Sequence, residues 1–177
     1  MILLAHPNIK ESQANKALVD AVSDMEGVAV FNLYELSQEI AFNVDEWSKI
    51  ISDASAVIYQ FPFYWMSAPS LLKKWQDEVF TFLSKTPAVA GKSLTVVTTT
   101  GSEYEAYRSG GRNRFTMDEL LRPYQVSAIH SGMSWQTPIV VYGMGTADAG
   151  KNIAEGANLY KQRVEMLIGS SNAGNNW

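Results

Sequence analysis

Three short segments of the chain concentrate the side chains that could bind a ligand. They run from His6 to Asn15, from Phe61 to Trp65 and from Thr98 to Tyr107. The first segment places Ser12 and Asn15 at the start of a helical pattern. A helix begins with unpaired N–H groups and the positive end of its dipole, and both favour a phosphate. We therefore expect a phosphate there, with further hydrogen bonds from Ser12, Asn15 and His6. The residues alone leave open that Ser12 is only a helix cap and His6 a loop histidine.

The second segment is an aromatic cluster, Phe61-Pro62-Phe63-Tyr64-Trp65, which directly follows an apolar run. Aromatic side chains offer a stacking surface and the loop offers backbone donors, so the segment suits a planar ligand such as an isoalloxazine ring. A satellite aromatic cluster or a contact between two copies of the chain would explain the composition equally well, because aromatic residues are also enriched in interfaces.

The third segment, Thr98-Thr99-Thr100-Gly101-Ser102 followed by Tyr104, combines hydroxyls, a flexible glycine and consecutive backbone N–H groups. Such a loop can hold the pyrimidine end of a flavin. Donors at that end would stabilise the negative charge that the ring gains on reduction. Threonines before a glycine are also ordinary turn chemistry, and that interpretation stays open.

Strands and helices must position these segments. Short apolar runs rich in β-branched residues predict five strands, at Ile2 to Ala5, Val28 to Leu33, Ala56 to Gln60, Leu94 to Thr99 and Ile139 to Tyr142. Helical spacing predicts five helices, at Ser12 to Met25, Asp45 to Ala54, Ser67 to Leu83, Thr116 to Gly132 and Ala149 to Ile168. We expect Ser12, Asp45 and Ser67 to cap the first three helices.

Strict alternation of strands and helices predicts an α/β fold, a three-layer sandwich in which helices cover both faces of a parallel sheet. Five strands without a sixth favour the flavodoxin-like order 2-1-3-4-5. In such a sheet, ligands bind beyond the carboxyl ends of the strands, where the order reverses between strands one and three. The three segments follow strands at that edge. This position favours a ligand over aromatic packing.

Composition argues against several other classes of protein. The length of 177 residues fits one domain, which we place at residues 1–168, followed by a mobile C-terminal tail at 169–177. A formal charge of -4 with scattered basic residues predicts no nucleic-acid partner and no binding to an anionic membrane surface. The absence of cysteine, with only two histidines, argues against disulfides and a zinc site. The start of the chain shows no targeting signal, so we expect a cytoplasmic protein.

With these motifs, the chain resembles the flavodoxin-like NAD(P)H:quinone oxidoreductases, the DT-diaphorase group. Within that group it is most similar to the small bacterial branch that includes the ancillary flavoprotein of glutathione-gated potassium efflux. The matching stretches are Ala5-His6-Pro7 with Ser12 to Asn15, Gln60 to Trp65 with Pro69 to Asp77, Thr99 to Gly101 with Tyr104, and Gly132-Met133. Each stretch is a weak signal by itself, but their order and spacing agree with the loops of the predicted sheet.

The resemblance implies a bound flavin, with FMN favoured over FAD by the small bacterial branch, and it assigns binding residues. The phosphate would be bound by His6, Ser12, Gln13, Ala14 and Asn15, the ring would be lined by Pro62, Phe63, Tyr64 and Trp65, and the pyrimidine end would be held by Thr99, Thr100, Gly101 and Ser102. In the family, a tyrosine after the Thr-Thr-Gly loop assists charge balance during hydride transfer. That role falls to Tyr104, with Tyr107 as the alternative. Mammalian-type members place a histidine shortly after this tyrosine, where this chain has Arg108 to Asn113.

An activity and partners are implied as well. NADPH or NADH would reduce the flavin, and a quinone would then take the same stacking position in a ping-pong, two-electron cycle. The family works as a homodimer whose active sites are completed by the partner chain, and Ala56 to Asp77 could bury that interface. One alternative is a regulatory flavoprotein subunit docked on a potassium efflux antiporter, peripheral at the inner face of the membrane. Another is a one-electron, flavodoxin-type carrier.

Overall fold

A computed structural model of the chain describes residues 1–36 and 42–173, with side chains as far as residue 170. Six strands form one parallel sheet in these residues: β1 (Ile2–Leu4), β2 (Val30–Asn32), β3 (Ala56–Pro62), β4 (Ser93–Thr99), β5 (Ser134–Trp135) and β6 (Ile139–Val141). All seven residues of β3 are buried, as expected of a strand that is covered on both faces.

The strand order is β2-β1-β3-β4, and both β5 and β6 pair with β4. The predicted order 2-1-3-4-5 is thus confirmed, except that two short strands share the last position and the prediction lacks β5. Pro138 explains the interruption. Gln136 donates its N–H to Leu94 of β4, and alternate residues of a strand face the same neighbour, so Pro138 stands where the next donor would be.

The described helices are α1 (Gln13–Asp20), α2 (Leu33–Leu36), α3 (Val44–Asp53), α4 (Ser70–Trp75), α5 (Thr81–Leu83), α6 (Met117–Leu120), α7 (Arg122–His130) and α8 (Ala149–Ala173). A π-helical segment at Gln76–Phe80 joins α4 to α5, and 3-10 turns lie at Ile9–Glu11 and Tyr104–Tyr107. None of these helices is both long enough and apolar enough to span a lipid bilayer.

Two apolar clusters cover opposite faces of the sheet. On one face, α1 and α8 pack through Leu18 and Tyr160 against Ile58 of β3. On the other face, α3 and α4 pack through Trp47 and Trp75, in a cluster that includes the strand residues Leu3, Val57, Tyr59 and Phe61. Consecutive residues of β3 therefore serve different clusters, as the alternation of side chains along a strand requires. The predicted three-layer α/β sandwich is confirmed.

The starts of the helices test the predicted caps. Ser12 caps α1 as predicted, because its hydroxyl accepts the N–H of Asn15 at 3.1 Å. The prediction of Asp45 is wrong, because the side chain of Asn43 caps α3 and Asp45 lies in the first turn. The prediction of Ser67 is also wrong, because α4 starts only at Ser70, after Pro69. Asparagine and aspartate cap helices equally well, so residue type alone did not favour Asp45 over Asn43 as the cap of α3.

Two predicted helices also differ from the structure in their extent. The helix predicted from Thr116 to Gly132 is interrupted at Leu121, between α6 and α7. Pro123 has no N–H to donate to the carbonyl oxygen four residues earlier, so it fits the first turn of a new helix and not the interior of a continuous one. The last helix, α8, extends to Ala173. Residues 169–173 of the predicted tail are thus helical, and residues 174–177 lie outside the described part of the chain.

Gly156 marks the closest packing of α8 on the sheet. A Cβ atom there would overlap the side chain of Val141 in β6. We expect Gly156→Ala to lower the free energy of unfolding by about 1–3 kcal/mol, the usual cost of overpacking. Gly169→Ala is the control, because a Cβ at that helical position meets nothing within 4 Å, and alanine is the better helix former. Urea denaturation of both variants measures the difference, and equal stabilities would contradict the packing argument.

Candidate functional site

The three segments that the sequence predicts to bind a ligand meet in a cavity of about 450 Å³ at the carboxyl ends of β1, β3 and β4. This volume lies within the usual range for small-molecule sites. The predicted residues in its lining are His6, Ser12, Gln13, Ala14, Asn15, Pro62, Phe63, Tyr64, Thr99, Thr100 and Gly101. Trp65, Ser102, Tyr104 and Tyr107 lie outside this lining.

Asn15 connects the start of α1 to two of the strands around the cavity, β3 and β4. Its side-chain Nδ2 donates to the Thr99 hydroxyl at 2.9 Å. Its backbone carbonyl oxygen accepts a hydrogen bond from Gln60 Nε2 at 2.8 Å. Asn15 is 1% exposed. One N–H of its side-chain amide is therefore used by Thr99, and the residue holds the start of α1 against β3 and β4.

The start of α1 offers donors to a ligand. In the described part of the chain, the N–H groups of Gln13 and Ala14 have no acceptor, and both residues line the cavity. His6 lies beside them, and its Nδ1 accepts the N–H of Asn8 at 3.1 Å. The proton of the neutral ring must then sit on Nε2, which makes that nitrogen a donor. This end of the cavity suits an anion.

The aromatic segment divides into three parts. Phe61 is completely buried and packs against Tyr124, with ring centroids 5.4 Å apart, so it belongs to the core. Phe63 and Tyr64 line the cavity. Trp65 is 97% exposed.

The position of Trp65 follows from a tight turn. Tyr64 and Ser67 exchange two backbone hydrogen bonds, of 2.8 and 2.9 Å. Between them, Trp65 and Met66 have φ angles of 47° and 63°. Positive φ at both central residues is the pattern of a type I′ turn, which normally contains Asn and Gly. Two bulky residues in this conformation are strained, and such strain concentrates at functional sites.

The third segment is held rigidly while its donors stay free. The carbonyl oxygens of Thr100, Gly101 and Ser102 accept hydrogen bonds from the N–H groups of Met144, Gly145 and Gly143, respectively. The N–H groups of Gly101 and Ser102 have no acceptor among the described residues. This loop thus presents two backbone donors next to the cavity.

Three lining residues escaped the sequence analysis, namely Met144, Ala149 and Ile153. They lie after β6 and at the start of α8, and none of them carries a polar side chain. In the sequence, the glycines on either side of Met144 were the feature that could have pointed to this loop. A Cβ at Gly145 would come within 3.1 Å of the Gly101 carbonyl oxygen, so this glycine allows the loop after β6 to approach the loop after β4.

A tyrosine cluster lies beside the cavity. The rings of Tyr104 and Tyr107 pack against Tyr142, with centroids 5.3 and 5.8 Å apart. Tyr104 is half exposed under the guanidinium of Arg108, whereas Tyr107 is buried. Burial raises the pKa of Tyr142 to about 12, and the nearby Tyr104 is the second-largest cause of this shift. These tyrosines face a neighbouring groove of about 650 Å³ between the 104–118 segment and α8.

Burial lowers the pKa of His6 below its usual value of 6.5. The folded protein therefore binds this proton less tightly than the unfolded chain. We expect the free energy of unfolding to fall as the pH drops from about 6.5 toward the folded pKa, because only the unfolded state gains the proton in that window. His6→Gln should flatten this part of the profile, as measured by urea denaturation between pH 5 and 8.

A phosphate dianion at the start of α1 would act in the opposite direction on His6. We expect FMN to raise the pKa of His6 toward or above its usual value, because the dianion stabilises the imidazolium. A proton NMR titration of the His6 ring signals, with and without FMN, measures this shift. An unchanged His6 titration in the presence of bound FMN would contradict its placement beside the phosphate.

Comparison with known proteins places this site in a family. A family model for the flavodoxin-like fold matches residues 1–164. The protein named uncharacterized NAD(P)H oxidoreductase YdeQ, from Bacillus subtilis, is 35% identical over 171 residues, which cover 94% of this chain and 86% of YdeQ. The chain is a member of the flavodoxin-like NAD(P)H oxidoreductase family. The resemblance seen in the sequence motifs is thus confirmed.

Other members of the family bear more specific names. The glutathione-regulated potassium-efflux system ancillary protein KefG of Pectobacterium atrosepticum is 34% identical over 146 residues, which cover 80% of each chain. Solved structures include general stress protein 14 of Treponema denticola in complex with FMN, with a TM-score of 0.85 and 30% identity over 94% of this chain and 97% of that one. The NADPH-quinone reductase of P. pentosaceus has a TM-score of 0.78 and 28% identity, and the match covers 92% and 95% of the two chains.

Proposed function

We propose that this member of the family is an FMN-dependent NAD(P)H:quinone oxidoreductase. The observation that carries the proposal is the distribution of free donors around the cavity. Donors that suit a phosphate lie at the start of α1, and the free N–H groups of Gly101 and Ser102 lie at the third segment. Between them, Pro62, Phe63 and Tyr64 supply an apolar wall. A flavin mononucleotide has this sequence of phosphate, flat ring and polar pyrimidine end.

The described residues then have separate roles. His6, Ser12, Gln13 and Ala14 bind the phosphate, and Thr99, Thr100, Gly101 and Ser102 hold the pyrimidine end. Asn15 acts as a positioning residue, because its side-chain donor is already bound to Thr99. Tyr107 packs edge-on against Phe63, with centroids 6.2 Å apart, and supports the wall from behind. Tyr104 is half exposed, and its side chain assists charge balance during hydride transfer.

Bound FMN would supply the redox chemistry, taking two electrons and a proton from NADPH or NADH and passing them to a quinone in a ping-pong cycle. The chain itself binds, orients and excludes water. Trp65 extends from its turn into solvent, where it can cover a flat substrate over the ring. This role explains why an exposed tryptophan occupies a strained position.

Two measurements test the proposal. Mass spectrometry of the heat-released cofactor should identify FMN, and FAD would overturn that part. Steady-state oxidation of NADPH and NADH with menadione should show turnover with parallel lines in double-reciprocal plots, as ping-pong kinetics requires, and intersecting lines would overturn the ping-pong cycle. No turnover with either nucleotide by the FMN-loaded protein would overturn the enzymatic function.

A regulatory function is the second candidate, because the KefG protein is 34% identical over 146 residues. In this case the chain docks on a potassium efflux antiporter as an ancillary flavoprotein. Co-purification with such an antiporter, and stimulation of its potassium flux by a variant that no longer oxidises NAD(P)H, would favour regulation. A potassium flux that is stimulated only when the chain can oxidise NAD(P)H would favour the enzymatic function.

A homodimer is part of the proposal. Three exposed apolar residues lie on α5 and α7, the helices that border a groove lined by Phe80 and Tyr124. They are Phe82, Val126 and Ile129, which are 64%, 56% and 64% exposed. Tyr64, Trp65 and Met66 are further exposed residues, within the predicted Ala56 to Asp77 interface. Apolar groups of this size at a central position dominate binding energy in interfaces.

We expect the double change Val126→Lys and Ile129→Lys to weaken the dimer at least about tenfold, since each buried charge costs more than 1 kcal/mol. Size-exclusion chromatography with light scattering over a range of concentrations measures the effect. Leu159→Lys with Met166→Lys is the matched control on exposed positions of α8. A dimer that persists in the first variant and dissociates in the second would place the interface on α8 instead.

A further inference from the structure

Arg112 is an exposed arginine that the fold holds against the cavity. Its Nη2 donates to the Ser102 hydroxyl at 2.6 Å. Ser102 directly follows Gly101 of the cavity lining, and the N–H groups of both residues are free among the described residues. The guanidinium thus stands next to the same end of the cavity as the free backbone donors.

The backbone around Arg112 explains how it reaches Ser102. The chain turns at Gly110, with φ of 96°, and Gly111 lies directly on the preceding 3-10 turn. A Cβ at Gly111 would clash with the Glu105 carbonyl oxygen and lie 2.8 Å from that of Ala106. Asn113 completes the turn by donating its N–H to the Ala106 carbonyl oxygen at 3.0 Å. Only glycine at 111 permits this approach, so the position of Arg112 is built into the loop.

The charge of Arg112 is also uncommitted. The ion pairs in the described part of the chain all join residues four positions apart, and none includes Arg112. Its hydrogen bond goes to a neutral hydroxyl. A cation that is positioned without a carboxylate partner keeps its full charge for a ligand.

We propose that Arg112 binds the reduced form of the cofactor more strongly than the oxidised form. The inference rests on the proposed function, in which the pyrimidine end of FMN lies at Gly101 and Ser102. Two electrons and one proton from NAD(P)H convert the neutral ring into an anion, whose charge lies at this pyrimidine end. The guanidinium of Arg112, with the Ser102 N–H beside it, stabilises this anion. Because Arg112 is exposed, solvent screens much of the attraction.

The test compares the two-electron reduction potential of bound FMN in the wild type, Arg112→Gln, Arg112→Lys and Arg122→Gln. The last variant is the control, because Arg122 is also exposed but bonds Gln125 on α7. We expect Arg112→Gln to weaken binding of reduced FMN about three- to tenfold relative to oxidised FMN. For a two-electron couple, this corresponds to a potential about 15–30 mV lower. Arg112→Lys should recover part of the shift, and Arg122→Gln should show none.

Two further measurements distinguish an effect of the Arg112 charge from a structural effect of its loop. The shift in Arg112→Gln should shrink as the salt concentration rises, whereas a merely structural effect of the loop would persist. The affinity of the bound, oxidised flavin for sulfite, whose adduct is also anionic, should fall by a similar factor. Wild type that binds no FMN would overturn both proposals. Tight FMN binding with equal potentials in wild type and Arg112→Gln would overturn the role of Arg112 alone.

Discussion

Asn15→Ala is expected to lower the free energy of unfolding by about 2–4 kcal/mol and to weaken FMN binding by at least about tenfold. The substitution removes a buried amide that bonds the Thr99 hydroxyl at 2.9 Å, and it leaves that hydroxyl without its donor next to a new cavity. Without this bond, the start of α1 is no longer held against β4. Urea denaturation and the quenching of flavin fluorescence measure the two effects.

A double-mutant cycle identifies the cause. Thr99→Val removes the other partner, and we expect a coupling of about 1–2 kcal/mol between the two positions. Ser12→Ala is the matched control for stability alone, because Ser12 is also proposed to bind the phosphate; it removes the cap of the same helix and should cost about 1 kcal/mol. If Asn15→Ala costs no more than Ser12→Ala, Asn15 does not connect the helix to the sheet as described.

Replacing Trp65-Met66 by Asn-Gly should have opposite effects on stability and on activity. Asn-Gly is the preferred pair for a type I′ turn, so relief of the two positive φ angles should raise the free energy of unfolding by about 1–2 kcal/mol. The same change removes the exposed indole from above the proposed ring site. We therefore expect kcat/KM for NAD(P)H to fall by about tenfold or more, a loss of about 1.4 kcal/mol or more.

The single variant Met66→Gly separates the two effects. It should gain part of the stability, because glycine adopts positive φ without strain, and it should keep the activity, because Trp65 remains. Thermal unfolding and steady-state kinetics on the same preparations provide both numbers. A gain in stability without any loss of activity in the Asn-Gly variant would show that Trp65 does not contact the substrate.

Much of the fold was predictable because its signals are local. Each central strand is a short apolar run, and residues that disfavour a strand follow two of these runs, namely Pro7 after β1 and Gly101 after β4. These ends sufficed to place the three segments at one edge of the sheet. The strand Ser134–Trp135 gave no such signal, since two residues carry no periodicity.

The site was less predictable, because its details depend on contacts between distant residues. The sequence suggested Asn15 as a phosphate ligand, but its bond to Thr99 joins residues 84 positions apart. Trp65 was expected in the ring wall, and only the backbone of its turn directs it to solvent. Arg112 was one of several scattered basic residues until the contact of Gly111 with the 3-10 turn placed it beside Ser102.

The interrupted last strand also bears on how copies of this chain can associate. A sheet edge with free N–H and C=O groups invites another chain to add as a strand, which leads to aggregation. Here Pro138 shortens one outer edge, and Arg163 of α8 donates to the Thr137 carbonyl oxygen at 2.8 Å and covers part of it. The opposite outer strand, β2, has only three residues. Both edges thus discourage strand addition, so the dimer proposed above would form through the helical faces, where assembly can stop at two copies.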